Sequence, residues 1–513
     1  MNKNLLLAVA VPALLLLSGC SDDDQSLPSG QPGINDPSSL FDPLFAKELE
    51  RRGYIESAAN ISPEAVADIT ELDLSGFHVH DVGYTLGDLK SLRGIEYFIN
   101  IERLDCSYNK LTDIDLSGNT NLEYLDCSYN QLTTLDLTDN TALTYLDCNS
   151  RNQLARLDVS QNAKLEYLNC SDTELTKLDL NSCIALAELD CSDNQLTGLD
   201  VSQNVMLEHL DCSDNQLNGL DVSQNVMLGY LNCSDNELMK LDLSGCIALS
   251  ELDCSYNILP ELDLTNNRAL IHLNCYCNYL EELDVSGCTA LTDLKCGSYN
   301  NVTLPHISKL NVSGCTALSE LDCHNCDLTE LDLTDNTALT YLDCAYNQLT
   351  ALDLTDNTAL TYLDCAYNQL TALDLTNNTA LTYLDCSDNQ LTELDVTGNT
   401  ALTELSCWRN QLTELDVTGN TALTYLGCWR NQLTELDVTN NTALTYLDCT
   451  RNQLTEMDIS NNQNLEYFGC LYNPGENGVL RVKVWPGFDD VPEGFSSGSY
   501  NYNGSTVTIE YWK

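Results

Sequence analysis

Basic residues are scarce in this chain of 513 residues, which has 22 Lys+Arg against 77 Asp+Glu and a formal net charge of −55. Nucleic acids and anionic lipid surfaces are polyanions, so this charge argues against both as partners. Histidines are also few, six in all, and none stands in a recognisable nucleophile–base setting. Walker loops and dinucleotide fingerprints are absent. We therefore expect that the protein is not an enzyme.

Long apolar runs are lacking too. The one that stands out, residues 5–17, is shorter than the roughly 20 residues that a membrane span needs. Lys3 precedes it and LSGC follows at residues 17–20, so we predict a signal peptide over residues 1–19. LSGC resembles the bacterial lipobox, and SDDD at residues 21–24 resembles the surface-export signal of Bacteroidetes lipoproteins.

This resemblance implies that Cys20 carries acyl chains and that the protein is anchored in the outer membrane, exposed on the cell surface. The lipid on Cys20 would then be its only contact with the membrane. Residues 20–40 are rich in Ser, Pro, Gly and Asp, which predicts a flexible tether. The alternative is an ordinary secretory signal in which the cysteine is accidental.

Most of the remaining chain is a repeat. A cysteine recurs eighteen times from Cys106 to Cys470, mostly in steps of 21 residues, and two neighbouring units, residues 332–352 and 353–373, are identical. The main exception is a step of 27 residues between Cys296 and Cys323. We interpret this insertion as a neutral loop, with a functional bulge as the alternative.

The unit reads LxxLxCxxNxL followed by LxxLDLxxN. This pattern resembles the leucine-rich repeat, and more narrowly the nested 21-residue bacterial class called IRREKO, with Cys in a strand position usually held by Leu. Leu363, Asp364 and Cys365 alternate apolar and polar, which indicates a strand with one buried face. One coil cannot bury its leucines alone, so neighbouring coils must stack.

We therefore predict a mainly β fold, a leucine-rich-repeat solenoid of about 18 coils with a parallel sheet over residues 69–473. Helical spacing of Phe41, Phe45 and Leu49, joined by Leu44, predicts a helical N-terminal cap over residues 41–68. Alternating residues at the far end predict a small β cap over 474–513.

The chain has 25 cysteines, which in an exported protein invites a disulfide interpretation. On parallel strands, however, the Cβ vectors of neighbouring cysteines run parallel and do not converge. Each strand cysteine also replaces an inward Leu, so we predict buried free thiols. Structural zinc is disfavoured because no pair of CxxC loops occurs.

Polar columns repeat with the same period. Asn347 and its equivalents end the strand, and Asn357 and its equivalents follow in the second half of the unit, with Cys183, Cys246, Cys288 and Cys315 replacing four of them. We predict that their side chains satisfy backbone groups of adjacent coils.

Stacked aspartates such as Asp332 and Asp353 would repel one another. We expect the hydroxyl two residues later, for example Thr334, to offset this repulsion. Calcium along the column is the alternative, but no GGxGxD signature occurs, so we predict neither metal nor cofactor.

The strand position three residues before the cysteine is tyrosine in ten units. Outward tyrosines give rigid contact area that suits binding, although tyrosine also simply favours strands.

Trp-Arg and Thr-Arg pairs follow three consecutive cysteines near the C-terminus. Our candidate ligand-binding residues are Trp408, Arg409, Tyr425, Trp429, Arg430, Tyr446 and Arg451. Aromatic rings beside guanidinium groups could hold a sugar or an acidic loop, and self-pairing with nearby Asp is the alternative.

Bacterial surface members of this repeat class resemble internalin-type adhesins. The resemblance implies a cell-surface adhesion or binding lipoprotein that recognises a protein partner, with a host protein as one option, through the solenoid face. Glycan capture at the Trp-Arg coils and a passive surface spacer are the alternatives.

Overall fold

A parallel sheet runs along the whole repeat array. The computed structural model describes residues 37–76, 78–80, 83–85, 87–299, 306–488, 492–495 and 498–513. Within these residues the sheet has 19 strands, one from each of the eighteen cysteine units and one before them. The predicted mainly β solenoid is thus confirmed. In chain order the strands are Glu71–Asp73, Arg103–Asp105, Tyr124–Asp126, Tyr145–Asp147, Tyr167–Asn169, Glu188–Asp190, His209–Asp211, Tyr230–Asn232, Glu251–Asp253, His272–Asn274, Asp293–Lys295, Glu320–Asp322, Tyr341–Asp343, Tyr362–Asp364, Tyr383–Asp385, Glu404–Ser406, Tyr425–Gly427, Tyr446–Asp448 and Tyr467–Gly469.

A small helical region covers the first coil. The helix Pro43–Arg52 begins at Asp42, whose carboxylate accepts the backbone N–H of Leu44 at 2.8 Å. Phe45 and Leu49 are buried, whereas Leu44 is exposed because only one narrow stripe of this helix faces the array. The remaining helical segments are Pro63–Val66 and the 3-10 turns Pro37–Leu40, Ala58–Asn60 and Ile95–Tyr97. None of the described helices is long and apolar enough to cross a bilayer.

A four-stranded sheet closes the other end. It consists of Glu456–Asp458, Val479–Lys483, Ser499–Tyr502 and Ser505–Trp512. Tyr500 donates its hydroxyl to the backbone oxygen of Asn473, which ties this cap to the last coil. The short two-stranded pairs elsewhere are His78–His80 with Gly83–Thr85, Leu220–Asp221 with Leu241–Asp242, and Glu282–Asp284 with Lys309–Asn311.

Successive strands pair in register, so each residue meets its counterpart one unit later. Leu342, for example, is opposite Leu363. The leucines and strand cysteines point inward and form one continuous core. Every cysteine in the described part of the chain is free and buried, which confirms the predicted thiols. Burial raises the pKa of the Cys365 thiol well above its ordinary value, so it stays protonated.

The two asparagine columns bond differently. Asn368, at the end of its strand, donates to the backbone oxygen of Cys344 and also accepts the N–H of Leu349 at 2.9 Å. Asn357, in the second column, donates to two carbonyls, but its Oδ1 is buried without a partner. The second column therefore needs only a donor. A thiol can supply one, as Cys246 does to the oxygen of Val222 at 3.2 Å.

We expect Asn357→Cys to cost less than about 1 kcal/mol of unfolding free energy, because it removes an unpaired oxygen. Asn368→Cys, eleven residues later in the same unit, should cost roughly 2–3 kcal/mol because the buried N–H of Leu349 loses its acceptor. Urea denaturation of the two variants measures the difference, and equal losses would contradict the distinction.

Candidate functional site

The sheet face carries three ladders of stacked tyrosines. In the ladder of Tyr341, Tyr362 and Tyr383, successive ring centroids lie 4.4 and 4.3 Å apart and the rings are nearly parallel. The same stacking joins Tyr124 to Tyr145 and Tyr167, and Tyr425 to Tyr446 and Tyr467. Since the ring faces are used within each ladder, the ladders present ring edges and hydroxyls to a ligand.

Between Tyr230 and Tyr341 the tyrosine position is held by four other residues, Glu251, His272, Asp293 and Glu320. This stretch, which we call the central cleft, contains two adjoining cavities of ≈ 290 Å³ and ≈ 450 Å³. Asn274 and Lys295 line both. The sequence signal for this cleft is the run of four consecutive units without tyrosine.

Three tyrosines from the loops after the strands form one wall of the central cleft. The ring centroids of Tyr256 and Tyr276 lie 5.7 Å apart. Those of Tyr276 and Tyr299 lie 5.5 Å apart, with the rings nearly edge to face. The hydroxyls of Tyr256 and Tyr299 hydrogen-bond at 2.9 Å. Tyr299 belongs to the 27-residue unit, so the insertion that we interpreted as neutral borders the cleft. Residues 300–305 lie outside the described part of the chain.

His324 stands at the floor of the cleft. Its Nδ1 lies 2.6 Å from Oδ1 of Asp322 and 3.8 Å from Oδ2 of Asp343. On the other side of the ring, Nε2 lies 3.3 Å from the hydroxyl of Tyr276. The hydrogen bond to Asp322 raises the pKa of His324. Nearby, a hydrogen bond with Asp293 raises the pKa of Glu320.

A larger cavity of ≈ 540 Å³ lies elsewhere, along Glu393, Glu414 and Glu435. It is lined by Glu, Leu and Asp from three successive units, with Thr from two of them. In a uniform ladder of this kind each group has the same surroundings as its neighbours. The central cleft instead combines histidine, lysine, tyrosine and carboxylate side chains from several coils.

The predicted Trp-Arg residues fall into two separate groups. Trp408 stacks on Trp429 at 4.7 Å, whereas Tyr425 and Tyr446 stack in their own ladder. Arg409 pairs with Asp388. The guanidinium of Arg430 lies over the ring of Trp429 at 5.3 Å, and that of Arg451 over Tyr472 at 4.9 Å. The self-pairing alternative thus holds for Arg409, which has an Asp partner, whereas Arg430 and Arg451 contact aromatic rings of the chain.

The backbone conformation of one further row of residues was not predicted from the sequence. The residue two places after most strand cysteines has a left-handed backbone, with φ of 55° at Tyr346 and 53° at Arg409. Such a conformation is costly for residues other than glycine. It is maintained here because the N–H of nearly all of these residues donates to the next coil, as Tyr346 does to Ala366. No glycine marks the position, so the sequence gives no signal for it.

Some aspartates of the two columns have pKa values that are shifted in opposite directions. On the sheet face, burial raises the pKa of Asp147 to about 7 and that of Asp364 to about 7, and neighbouring carboxylates add to the effect. In the second half of the unit, Thr355 donates its hydroxyl to Asp353 at 2.6 Å and lowers the pKa of Asp353. The predicted hydroxyl support for this second column is confirmed.

Comparison with known proteins agrees with the geometry. The profile described as Leucine Rich repeats (2 copies) matches residues 99–139, 120–162 and 358–398. The functional domain of InlJ from Listeria monocytogenes, which includes a cysteine ladder, is 36% identical with a TM-score of 0.60, and the match covers 82% of each chain. The protein therefore belongs to the leucine-rich-repeat family.

More distant structures share the fold alone. YopM from Yersinia enterocolitica is 24% identical, with a TM-score of 0.64 over 86% of this chain and 91% of that one. The ectodomain of the plant receptor kinase GASSHO1/SCHENGEN3 from Arabidopsis thaliana, in complex with CASPARIAN STRIP INTEGRITY FACTOR 2, is 22% identical. Its TM-score is 0.61 over 82% of this chain and 57% of that one. No curated protein sequence matches the chain.

The predicted signal peptide, the lipidation residue Cys20 and most of the predicted tether lie outside the described residues.

We expect Asp147→Asn and Asp364→Asn to raise the unfolding free energy by roughly 1–3 kcal/mol each at pH 8 and to change it little at pH 4. The folded pKa near 7 exceeds the ordinary value of 3.8, so the folded state binds more protons between these values. The wild-type chain therefore loses stability as the pH rises from about 4 to about 7 at these sites.

Urea denaturation at the two pH values measures this effect. Asn already stands at the equivalent positions 169 and 232, so the variants should fold. The control Asp353→Asn has a lowered pKa in the wild type and should show no such gain at pH 8. A gain of equal size in all three variants would contradict the assignment.

Proposed function

We propose that this protein is a surface-displayed binding protein whose sheet face holds a protein partner. The observation that carries the proposal is the central cleft, where unlike polar residues replace tyrosine in four consecutive coils and line two adjoining cavities. Identical coils repeat one surface, so recognition of a single partner needs a place where the coils differ. Tyrosine ladders on both sides supply rigid contact area at low entropic cost.

The charge of the cleft favours a basic segment of the partner. Five carboxylates line its two cavities, while Lys295 is the one lysine or arginine among the described lining residues. The carboxylates are Glu251, Asp253, Asp293, Glu320 and Asp322. Partner lysines or arginines would complement these groups and, with the overall charge of −55, would speed association. The plant receptor ectodomain of the same fold was solved in complex with CASPARIAN STRIP INTEGRITY FACTOR 2, which supports the use of such a scaffold for binding a partner.

We further propose that Cys20 is lipidated and anchors the protein in the outer membrane, with the solenoid exposed at the cell surface. The LSGC motif and the acidic residues after it support this proposal. Residues 21–36 would then separate the anchor from the first described helical turn, Pro37–Leu40.

Glycan capture at the Trp-Arg coils is the second candidate. The specific observation in its favour is the stacked pair of Trp408 and Trp429. Their facing surfaces are occupied by each other, and Arg430 lies over the ring of Trp429. A sugar that stacks on an indole face would therefore have to displace contacts within the chain, which places this candidate behind protein binding.

The binding proposal is tested by probing arrays of extracellular proteins and of glycans with the mature chain. We expect a protein ligand whose affinity falls at least about tenfold in the double variant Glu251→Lys/Glu320→Lys, because like charges then face its basic segment. Glu188→Lys/Glu404→Lys is the matched control, since both glutamates hold the same strand position outside the cleft.

Three results would decide against the proposal. Equal losses in the two double variants would show that only overall charge matters. Glycan binding that is lost in Trp408→Ala/Trp429→Ala would favour the second candidate. Capture of neither ligand class would favour a passive spacer.

The anchor is tested separately. Cys20→Ala should abolish incorporation of labelled fatty acid and release the protein from the outer-membrane fraction, while the repeat array still folds. Mass spectrometry of the mature N-terminus and cell fractionation measure these effects. Continued membrane association without the acyl label would refute lipid anchoring at this residue.

A further inference from the structure

His324 occupies a position that holds serine in many coils. In five of those coils the serine hydroxyl donates to the carboxylate two residues earlier, as Ser107 does to Asp105 at 2.7 Å. At position 324 the imidazole takes over this contact, with Nδ1 at 2.6 Å from Oδ1 of Asp322. The next coil has Ala345 instead of serine, so Asp343 receives only the backbone N–H of that alanine as a local donor.

The substitution brings three metal-ligating atoms together. Nδ1 of His324 and one oxygen each of Asp322 and Asp343 lie within 4.8 Å of one another. Asp322 and Asp343 are direct partners across adjacent parallel strands, so the backbone register sets their separation. The three side chains are 18–25% exposed, so they are sheltered and still reachable from the cleft.

Tyr276 orients the imidazole ring. Its hydroxyl lies 3.3 Å from Nε2 of His324, so the Nε2 proton can be donated to it, and the lone pair of Nδ1 then points at the two carboxylates. A lone pair cannot lie this close to a carboxylate oxygen without a positive centre between them. That centre is either a proton on Nδ1 or a metal ion. Metal-binding histidines commonly use their other nitrogen in this way.

We propose that Asp322, His324 and Asp343 form a binding site for a divalent transition metal of the zinc class. Imidazole nitrogen together with two carboxylates suits such ions, whereas Ca²⁺ and Mg²⁺ prefer oxygen ligands alone. Ligand atoms around tetrahedral zinc lie about 3.3 Å apart. The two observed distances from Nδ1, 2.6 and 3.8 Å, lie on either side of that value.

Three protein ligands leave a coordination position open toward the central cleft. Tyr276, Tyr299 and Glu320 line the cavity there. The metal would therefore be accessible to a donor group from a bound molecule, although the site itself does not depend on the proposed partner. Binding of metal alone tests it, whatever the fate of the proposed function.

The chain offers a matched control on the same face. His272 lies 3.3 Å from Asp293, and this pair belongs to no group of three such ligands in the described part of the chain. His272→Ala should therefore leave metal binding unchanged. Asp343→Asn should remove one ligand without unfolding the coil, since Asn169 and Asn274 stand in the same strand position and accept the same kind of backbone N–H.

The experiment is titration of the chelator-treated full chain with ZnCl₂ by calorimetry, with CaCl₂ in parallel. We expect one zinc per chain, no comparable calcium binding, and affinity for zinc reduced at least about tenfold in His324→Ala and in Asp343→Asn. The melting temperature with zinc should rise in the wild type and in His272→Ala only. Circular dichroism of each metal-free variant checks that it is folded.

Substitution with Co²⁺ identifies the ligands. We expect d–d bands of a nitrogen–oxygen site that disappear in His324→Ala. Sulfur-to-cobalt charge-transfer bands would instead show that cysteines take the metal, and the proposal would fail. It would fail equally if zinc does not bind, if His324→Ala binds it as well as the wild type does, or if His272→Ala loses it to the same degree. In those cases Nδ1 carries a proton, and the group is an ion pair only.

Discussion

The backbone hydrogen bond from each coil to the same place in the next coil is the constraint on which the rest of the structure depends. Cys344 N–H donates to the oxygen of Asp364 at 2.8 Å, and Cys365 N–H does the same to Asp385. Because this register holds throughout, every side chain lies beside its own counterpart. Leucine, cysteine and tyrosine suit such rows, because contact between identical side chains of these types on neighbouring coils is favourable. Aspartate suits them poorly, because stacked carboxylates repel one another unless a hydroxyl, a backbone N–H or a proton offsets the repulsion.

The same constraint explains why the proposed function is assigned to the exceptional coils. A row of identical residues offers a partner many equivalent positions and therefore no defined one. In the central cleft the row changes from tyrosine to Glu251, His272, Asp293 and Glu320, and loop tyrosines from three coils come together above it. Regular coils thus supply a stiff frame, and the irregular ones supply a place that a ligand can distinguish from the rest.

The sequence predicts most of the fold, because the fold follows from period and residue type. The parallel strands, inward thiols, asparagine ladders and hydroxyl support for the second aspartate column all recur at fixed offsets within the unit. Contacts that skip a unit do not follow from the period. Tyr276 reaches His324 across the coil of Lys295, and Tyr367 reaches Trp408 across that of Asp388. Whether Arg409 is free or paired with Asp388 likewise depends on side-chain positions, which the repeat spacing does not determine.

The two identical units, residues 332–352 and 353–373, have a mechanical consequence for a molecule of this kind. A whole coil could be gained or lost between them with no change in any neighbouring contact, since each coil fits against its own copy. Such a change would move the C-terminal cap by about 4.8 Å along the array and leave everything before it untouched. The length of the array is thus adjustable in uniform increments, with no change in the central cleft.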